Sequence, residues 1–379
     1  MVNRVDILEA VKITSNRVKL FDDKKRYLAT GNLSNQGIDN FLFVDYENKP
    51  SRADLMVSEG DLILARMKAT NKVFLIDCDS ENLIVSTGFL TLKPKDGFDG
   101  RYLYHYFRSK TFQRLKDKYC SGATQMAISN SSFKNLKVPH YKIAQQKKIV
   151  QILDTASNLR QKRKEQLASL DDYLKSVFIE MFASYLNIQS EFIYLEKLTK
   201  KITVGHVGPT SFAYIDRGIP FLRTQNIKRN FIDLNQLAYI GEEFHRKLKK
   251  SQIHTNDVLI SRVGVNRGMA AVVPKELDSA NCANVVIVGK SEGFNSIFLS
   301  AYLNFTYGRS AKFGYSVGSA QGVVNTSIIK KWPIIDVNIE IENKFASIVE
   351  QVENTKQKMR ASLEEMDTHF NALMQRYFE

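Results

Sequence analysis

Two stretches of the chain place an apolar residue at every third and fourth position in alternation, the spacing of one face of a long helix. The first face runs through Ile149, Leu153, Ala156, Arg160, Arg163, Leu167, Leu170, Leu174, Val177 and Met181. The second runs through Phe345, Val349, Val352, Lys356, Met359, Leu363, Met366, Phe370, Leu373 and Tyr377. Neither stretch contains proline or glycine. The pattern predicts two long helices whose apolar seams pack together as a coiled coil.

The alternative is that each helix lies along its own globular neighbour as an ordinary amphipathic helix. We favour the coiled coil, because each helix would be about 50 Å long at 1.5 Å per residue and would outrun such a domain. The two seams also match position for position. Arg160 and Lys356 interrupt them at the same level. A cation in an apolar seam costs stability, so these residues either fix the register or contact a partner.

Outside the helices, short apolar runs near turn residues predict strands. Phe41–Val44 and Phe89–Leu92 are such runs in the first part of the chain, and Val285–Val288 is one in the second. An apolar stretch with helical spacing follows in each part, at Tyr102–Phe107 and at Phe298–Leu303. The chain is therefore predicted to belong to the α+β class.

The sequence repeats itself at an offset of 196 residues. Gly-Asp-Leu-Ile-Leu-Ala-Arg at 60–66 returns as Asn-Asp-Val-Leu-Ile-Ser-Arg at 256–262. At the same offset, Tyr119, Gly122, Gln125 and Phe182 return as Tyr315, Gly318, Gln321 and Phe378. A period this long indicates two copies of a whole domain with its helix, because solenoid repeats are far shorter. The predicted segments are a globular domain at 1–143, its helix at 144–183, a second globular domain at 184–339 and its helix at 340–379.

The composition differs from that of an ordinary globular protein mainly in its net charge. The 54 basic residues exceed the 40 acidic ones, which leaves a net charge of +14 that attracts polyanions, nucleic acid first. No apolar run approaches the roughly 18 residues of a membrane span, and the first residues lack a signal peptide's apolar core. Three scattered cysteines form no CxxC pair, so disulfides are not expected. These features predict a cytoplasmic protein that is not attached to a membrane.

Signatures of catalysis are missing from the sequence. No two prolines are adjacent, which excludes the Asn/Asp-Pro-Pro-aromatic motif of amino-methyltransferases. Gly289-Lys290-Ser291 follows a β-prone run, but Asn284 stands where a phosphate-binding loop has its first glycine. The six histidines show no metal-ligand spacing. We expect no enzyme here; a nuclease site of scattered carboxylates has no local signature and is the least favoured alternative.

The order and duplication of these elements resemble the DNA-specificity subunit of Type I restriction–modification systems, over essentially the whole chain. Phe-Lys-Asn-Leu-Lys-Val-Pro at 133–139, followed by Gln145-Gln146-Lys147, resembles the family's passage from a recognition domain into its helix. The second copy departs from this pattern with Trp332-Pro333 and Glu342-Asn343. We interpret these departures as drift in a degenerate repeat.

The resemblance implies two similar α/β target-recognition domains in tandem, each reading one half of a split, asymmetric site in double-stranded DNA. The two helices would pack as an antiparallel coiled coil that sets the gap between the half-sites. Two methyltransferase subunits and the motor-nuclease subunits would be partners. S-adenosylmethionine, ATP and Mg²⁺ would bind to those partners, and no cofactor to this chain. The alternative is a coiled-coil interaction scaffold that does not read DNA, and the net charge counts against it.

The repeat sorts the candidate DNA contacts, because residues shared by both copies cannot by themselves distinguish two half-sites. Asp61, Asp257, Gly122 and Tyr119 are therefore predicted to be scaffold. The shared polar pairs are candidates for phosphate contacts, with pairing to a nearby carboxylate as the alternative: Arg66 with Arg262, and Gln125 with Gln321. Unmatched polar residues are candidates for reading bases. They are Lys68, Asn71 and Lys72 in the first copy and Asn266 and Arg267 in the second, all after the shared arginine. The weaker candidates are Arg223, Gln225 and Asn226 in the second copy and Asn32 and Asn35 in the first.

Overall fold

A computed structural model describes residues 3–34, 37–76, 83–123, 125–186, 192–306 and 325–379. The chain divides into two compact units, one made of Met1–Arg163 with Ser362–Glu379 and the other of Lys164–Ala361. Each unit contains part of both long helices and is considered by itself below. Within the described ranges, no helix is both long and apolar enough to cross a membrane.

The first unit is built from short strands and helices in the order of the chain. Its strands are β1 (Arg4–Asp6), β2 (Val11–Thr14), β3 (Lys25–Leu28), β4 (Leu42–Val44), β5 (Ala53–Met56), β6 (Leu62–Ala65), β7 (Val73–Leu75), β8 (Leu83–Ser86), β9 (Phe89–Pro94) and β10 (Lys137–Pro139). Its helices are α1 (Ile7–Ala10), α2 (Gly100–Arg108), α3 (Lys110–Lys118), α4 (Asn130–Phe133) and the first part of α5 (Ile143–Leu186).

The second unit is likewise built from short strands and helices. Its strands are β11 (Phe192–Tyr194), β12 (Ile202–Val204), β13 (Tyr214–Ile215), β14 (Ile219–Leu222), β15 (Ala238–Ile240), β16 (Val258–Ser261), β17 (Ala270–Val272), β18 (Asn281–Cys282), β19 (Val285–Val288) and β20 (Pro333–Ile335). Its helices are α6 (Leu195–Leu198), α7 (Glu242–Lys247), α8 (Ser296–Thr306), α9 (Thr326–Lys330) and the first part of α10 (Ile339–Phe378).

One four-stranded sheet has the same strand order in both units, and the other shares three of its four strands, which confirms the repeat at the level of topology. In the first unit, β2-β9-β6-β7 forms one sheet and β4-β3-β8-β5 another, with β1 paired to β10. In the second, β12-β19-β16-β17 corresponds to the first of these sheets and β15-β14-β18 to β4-β3-β8, with β11 paired to β20. The fourth strand lies at opposite edges of the sheet, β5 beside β8 and β13 beside β15. The parallel pair β3–β8 of the first unit has its equivalent in β14–β18. The three predicted strands correspond to β4, β9 and β19, and the two short predicted helices to α2 and α8.

Both predicted long helices are confirmed, with 44 residues in α5 and 40 in α10. In the first unit, Tyr141, just before α5, donates its hydroxyl to the carbonyl of Tyr377, and Arg160 farther along pairs with Asp367. In the second, Asp171 pairs with Lys356, whereas Phe182 farther along stacks against Phe345. As the residue numbers rise along α5, those of the contacting residues in α10 fall. The two helices are therefore antiparallel within each unit.

The seam residues face the interior in both units. Ile149 and Leu153 share the core of the first unit with the end of α10, including Phe370, Leu373 and Phe378. Leu170 and Leu174 share the core of the second unit with the beginning of α10, including Phe345 and Val349. Leu167 and Leu363 are half-buried. Each unit therefore uses the seam as one wall of its own core.

The two cations that interrupt the seam each meet an aspartate of the other helix. Arg160 pairs with Asp367, and Lys356, which is buried, holds Asp171 at 2.7 Å and Glu353 at 2.7 Å. Asp171 and Asp367 are themselves related by the 196-residue offset, as Arg160 and Lys356 are. The repeat has therefore duplicated an ion pair, and pairing within the seam supports the register interpretation of these cations.

Candidate nucleic-acid interface

The shared aspartates support the base of equivalent hairpins. Asp61 is buried before β6, and its Oδ2 accepts the backbone N–H of Ser58 at 2.9 Å. Asp257 stands before β16 and accepts the N–H of His254 at 3.0 Å in the same way. Its other oxygen accepts the N–H of Lys290 at 3.1 Å, which places the rejected Gly-Lys-Ser run in a structural turn. The prediction that these aspartates are scaffold is confirmed.

The shared arginine at the end of β6 binds backbone carbonyls. The Nε of Arg66 donates to the carbonyl of Phe89 at 3.0 Å, and its Nη1 donates to that of Ile128 at 3.3 Å. Burial lowers its pKa, although a guanidinium remains charged at physiological pH. Because its half-buried guanidinium is engaged by these two carbonyls, we remove Arg66 from the candidates for phosphate contact. Arg262 lies 3.4 Å from the Oδ1 of Asn325, the residue that precedes α9.

The loop that contains the shared Gln125 requires a glycine at position 122. Gly122 has φ +135°, and a Cβ at this position would lie 2.4 Å from the carbonyl oxygen of Gln125. The loop therefore requires glycine, and it leaves the side chain of Gln125 exposed. Beside it, the backbone of exposed Lys68 donates to the carbonyl of Met126 at 2.9 Å. Gln321, Gly318 and Tyr315 of the second copy lie outside the described residues, as does Asn35.

Side chains of α3 bond to the backbone at the tip of the β6–β7 hairpin. Lys116 is fully buried, and its Nζ donates to the carbonyls of Met67 at 3.0 Å and Thr70 at 2.5 Å. Its neighbour Asp117 accepts the backbone N–H of Ala69, which has φ 58°. Burial lowers the pKa of Lys116. Sequence reasoning missed this lysine, because nothing in α3 alone distinguishes a buried cation from a solvated one.

Two of the first unit's base-reading candidates bond to neighbouring backbone. The Nδ2 of Asn71 donates to the carbonyl of Arg108 at 3.1 Å, and the Nζ of Lys72 donates to that of Thr30 at 2.7 Å. The amide of Asn32 bonds to the side chain of Asn40. Lys68 and Gln125 are the more exposed candidates in this loop cluster.

In the second unit, two of the candidates serve the fold. Asn226 is buried; its Oδ1 accepts the N–H of Arg223 at 3.0 Å, and its Nδ2 donates to Asp233 at 3.1 Å. Asn266 is buried as well, and its Nδ2 lies 3.3 Å from the carbonyls of Thr224 and Gln225. Because both side-chain amides bond to backbone groups, we remove Asn226 and Asn266 from the candidates for reading bases.

The hydrogen bonds of Asn266 also position the side chains of neighbouring candidates. Asn266 ties the turn between β16 and β17 to the loop at Thr224–Asn226, which leaves Gln225 exposed and Arg267 half-buried beside it. Arg223 is half-buried, with its Nη2 2.9 Å from the carbonyl of Gln236. The loops therefore gather the polar candidates of this unit at one end of the β16–β17 hairpin.

Val265 is a residue that sequence reasoning missed. It stands at the tip of the turn after Gly264, which has φ +78°, and 87% of its surface is exposed. Its equivalent at the repeat offset is Ala69, also exposed and at a hairpin tip. A small apolar side chain at such a tip can contact the methyl group of thymine in the major groove. The signal in the sequence was an apolar residue inside a turn bounded by glycines.

Sequence comparison finds a match over the first part of the chain. Residues 6–169 match the family model described as the type I restriction modification DNA specificity domain. The chain is 23% identical over 223 residues to the type I restriction enzyme MjaIX specificity subunit of Methanocaldococcus jannaschii. That match covers 54% of this chain and 51% of the relative, so it spans about half the length of the curated relative.

Solved structures extend the likeness of the fold over the whole chain. The S subunit of a type I restriction–modification system from M. genitalium aligns with a TM-score of 0.57 at 15% identity, covering 100% of this chain and 96% of that one. A chain from a structural study of complex assembly and conformational transition in a type I R-M system aligns with a TM-score of 0.56 at 15% identity. It covers 99% of this chain and 97% of its own length. The expected α+β fold with two similar domains and two long helices is confirmed.

Proposed function

We propose that this chain is the non-catalytic specificity subunit of a type I restriction–modification complex, in which each unit reads one half of a split, asymmetric site in duplex DNA. The observation that carries the proposal is the pair of equivalent hairpins, β6–β7 and β16–β17. Their frameworks share strand order and the supporting aspartates, whereas the side chains at their tips differ. A shared scaffold with divergent loops suits two readers of different sequences.

The proposed base contacts are exposed or half-buried side chains at these tips and in the loops beside them. Lys68 and Gln125 would serve the first unit, and Gln225 and Arg267 the second. Amide and cationic groups can form the paired hydrogen bonds that distinguish adenine or guanine in the major groove. Val265, at the tip of the turn between β16 and β17, would contact a thymine methyl group. The net charge of +14 would attract the phosphate backbone of either half-site.

The remaining parts of the proposal concern partners. Two methyltransferase subunits would dock on the chain, and motor-nuclease subunits would join for restriction, in the cytoplasm. These partners would bind S-adenosylmethionine, ATP and Mg²⁺. The antiparallel α5 and α10 would act as the spacer that sets the gap between the half-sites. The domain boundaries after residues 143, 183 and 339 remain predictions.

The first test is the salt dependence of DNA binding by the isolated chain. If about six phosphates are engaged, the logarithm of the association constant should fall with the logarithm of salt concentration with a slope near −5. Fluorescence anisotropy with a labelled duplex, between about 50 and 200 mM salt, measures this slope. A slope near zero would contradict DNA binding and favour the interaction scaffold.

A further inference from the structure

The first unit contains a cleft that the proposed base contacts leave unused. It has a volume of about 680 Å³ and runs along α2, α3 and the last turns of α10. Its lining includes the side chains of five basic residues, Arg101, Arg108, Lys110, Arg114 and Arg160. Three of them pair with carboxylates: Arg101 with Asp154, Arg114 with Glu379 and Arg160 with Asp367. The cations still outnumber these carboxylates, and an excess of positive charge around one cavity is the chemistry of a site for a polyanion.

Aromatic rings hold three of these guanidinium groups in place. The guanidinium carbons of Arg101 and Arg108 each lie 5.0 Å from the centre of the Tyr104 ring. That of Arg160 lies 4.3 Å from the centre of the Phe370 ring. Side chains that are already ordered lose less entropy when they bind an anion, and the planar fork of arginine matches two phosphate oxygens.

The cleft is not part of the framework that the two units share. At the repeat offset, Arg101, Tyr104 and Arg108 of α2 correspond to Ile297, Ser300 and Asn304 of α8. The side chain of Asn304 bonds to both backbone groups of Ala270 at 2.9 Å. The helix therefore takes its place against the sheet without arginines. The arginines of α2 are therefore a feature of the first unit that its counterpart lacks.

We propose that this cleft is a phosphate-binding channel that holds the DNA backbone beside the half-site read by the first unit. The inference rests on the proposed function. The cleft is lined at one side by Asn71, which belongs to the β6–β7 hairpin and donates to the carbonyl of Arg108 at 3.1 Å. The hairpin that would enter a groove is thus joined directly to the cleft, which favours DNA over an acidic segment of a partner protein. One half-site is then held by more phosphate contacts than the other.

Two exposed cations of the cleft allow a test that spares the core. The side chain of Arg114 is 74% exposed, and Lys110 is exposed at the start of α3. In the full chain, the double variant K110E/R114E should weaken binding to a mixed-sequence duplex about tenfold at about 100 mM salt. It should also make the salt slope shallower by about two, because two phosphate contacts are lost. Circular dichroism should show that the variant is folded.

The matched control is K147E/K148E, which changes the net charge by the same amount at exposed positions of α5 in the same unit, outside the cleft lining. Its slope should stay close to that of the wild type. Equal losses in the two variants, or no loss in K110E/R114E, would overturn the channel while leaving a steep wild-type slope and the proposed function intact. Unchanged DNA binding with loss of methyltransferase association in K110E/R114E would overturn it in favour of an acidic protein segment. A flat wild-type slope would instead remove the proposed function itself.

Discussion

Equivalent residues of the two copies can be compared in pairs, and one pair makes the stability of the second unit depend on pH. In the first unit, Gln146 of α5 accepts the N–H of Asp99 at 2.9 Å and donates to the carbonyls of Gly97 and Tyr141. At the same place in α10 stands Glu342, which accepts the N–H of Asn295 at 2.6 Å. Burial raises the pKa of Glu342 from 4.5 to about 7, and the carboxylate of Asp336 adds to the effect. The departure from the repeat pattern thus introduces a buried acid where the first copy has a neutral amide.

The variant Glu342→Gln should stabilise the protein at high pH. The folded state holds a proton on Glu342 that the unfolded chain releases near pH 4.5, so the wild type loses stability as pH rises from about 4.5 through about 7. Glutamine removes this loss. The expected gain is up to about 3 kcal/mol at pH 8 and small at pH 4, measured by thermal unfolding at both pH values.

Glu340→Gln is the matched control, because Glu340 lies exposed in the same first turn of α10. It should change the unfolding temperature little at either pH. A gain in E342Q that does not depend on pH would mean that Glu342 is not the group that titrates.

Prediction from the sequence was weakest for the burial and contacts of individual side chains. Asn226, Asn266 and Gln225 look alike as amides in loops, yet two of them are buried against backbone and one is exposed. What separates them is which carbonyls the folded loops bring within reach, and this depends on tertiary packing. Gly122 was different, since its role as scaffold was predicted from the repeat alone.

Secondary-structure elements were predicted best where a pattern was long. The seam of α5 and α10 repeats over many turns, so its period could be distinguished from chance. Short strands such as β18, with two residues, have too little sequence for a pattern. The parallel pairing of β3 with β8 joins Arg26 to Leu83, which no local signal in the sequence specifies. Helices were therefore predictable in their positions, and sheets only in part of their strands.

The ion pairs between α5 and α10 lead to a prediction at this scale. In Asp171→Lys, the buried Lys356 would lose one of its two carboxylates and face a second cation. The expected cost is about 1–3 kcal/mol, because a buried charge is left poorly compensated. The midpoint of thermal unfolding, followed by circular dichroism, measures it.

Asp172→Lys makes the same chemical change one position along α5, at an exposed residue, and should cost less than about 0.5 kcal/mol. If both variants lowered the midpoint equally, the Lys356–Asp171 pair would not contribute to the packing of the two helices in this unit.

For the whole molecule, the sequence revealed the duplication because landmarks such as Asp61 and Asp257 recur at a fixed offset. It did not reveal how the helices are shared. The core of the first unit includes Phe378, whose ring lies 5.5 Å from that of Tyr102 and 5.6 Å from that of Tyr106. A residue near the end of α10 is thus part of the first unit, which a division of the chain into successive segments cannot express. Any exchange of the first domain has to preserve the surface that receives Phe378.

The central claim is that the two units read DNA independently, and exchange of one reader tests it most directly. Residues 1–143 would be replaced by the equivalent domain of another specificity subunit, chosen to keep aromatic residues at positions 102 and 106. The hybrid and its methyltransferase partner would be expressed in cells, and methylated sites mapped by long-read sequencing. We predict that one half of the recognised sequence changes while the other half and the gap are retained. A hybrid that assembles and methylates DNA, but with both halves changed together or with neither changed, would contradict the account.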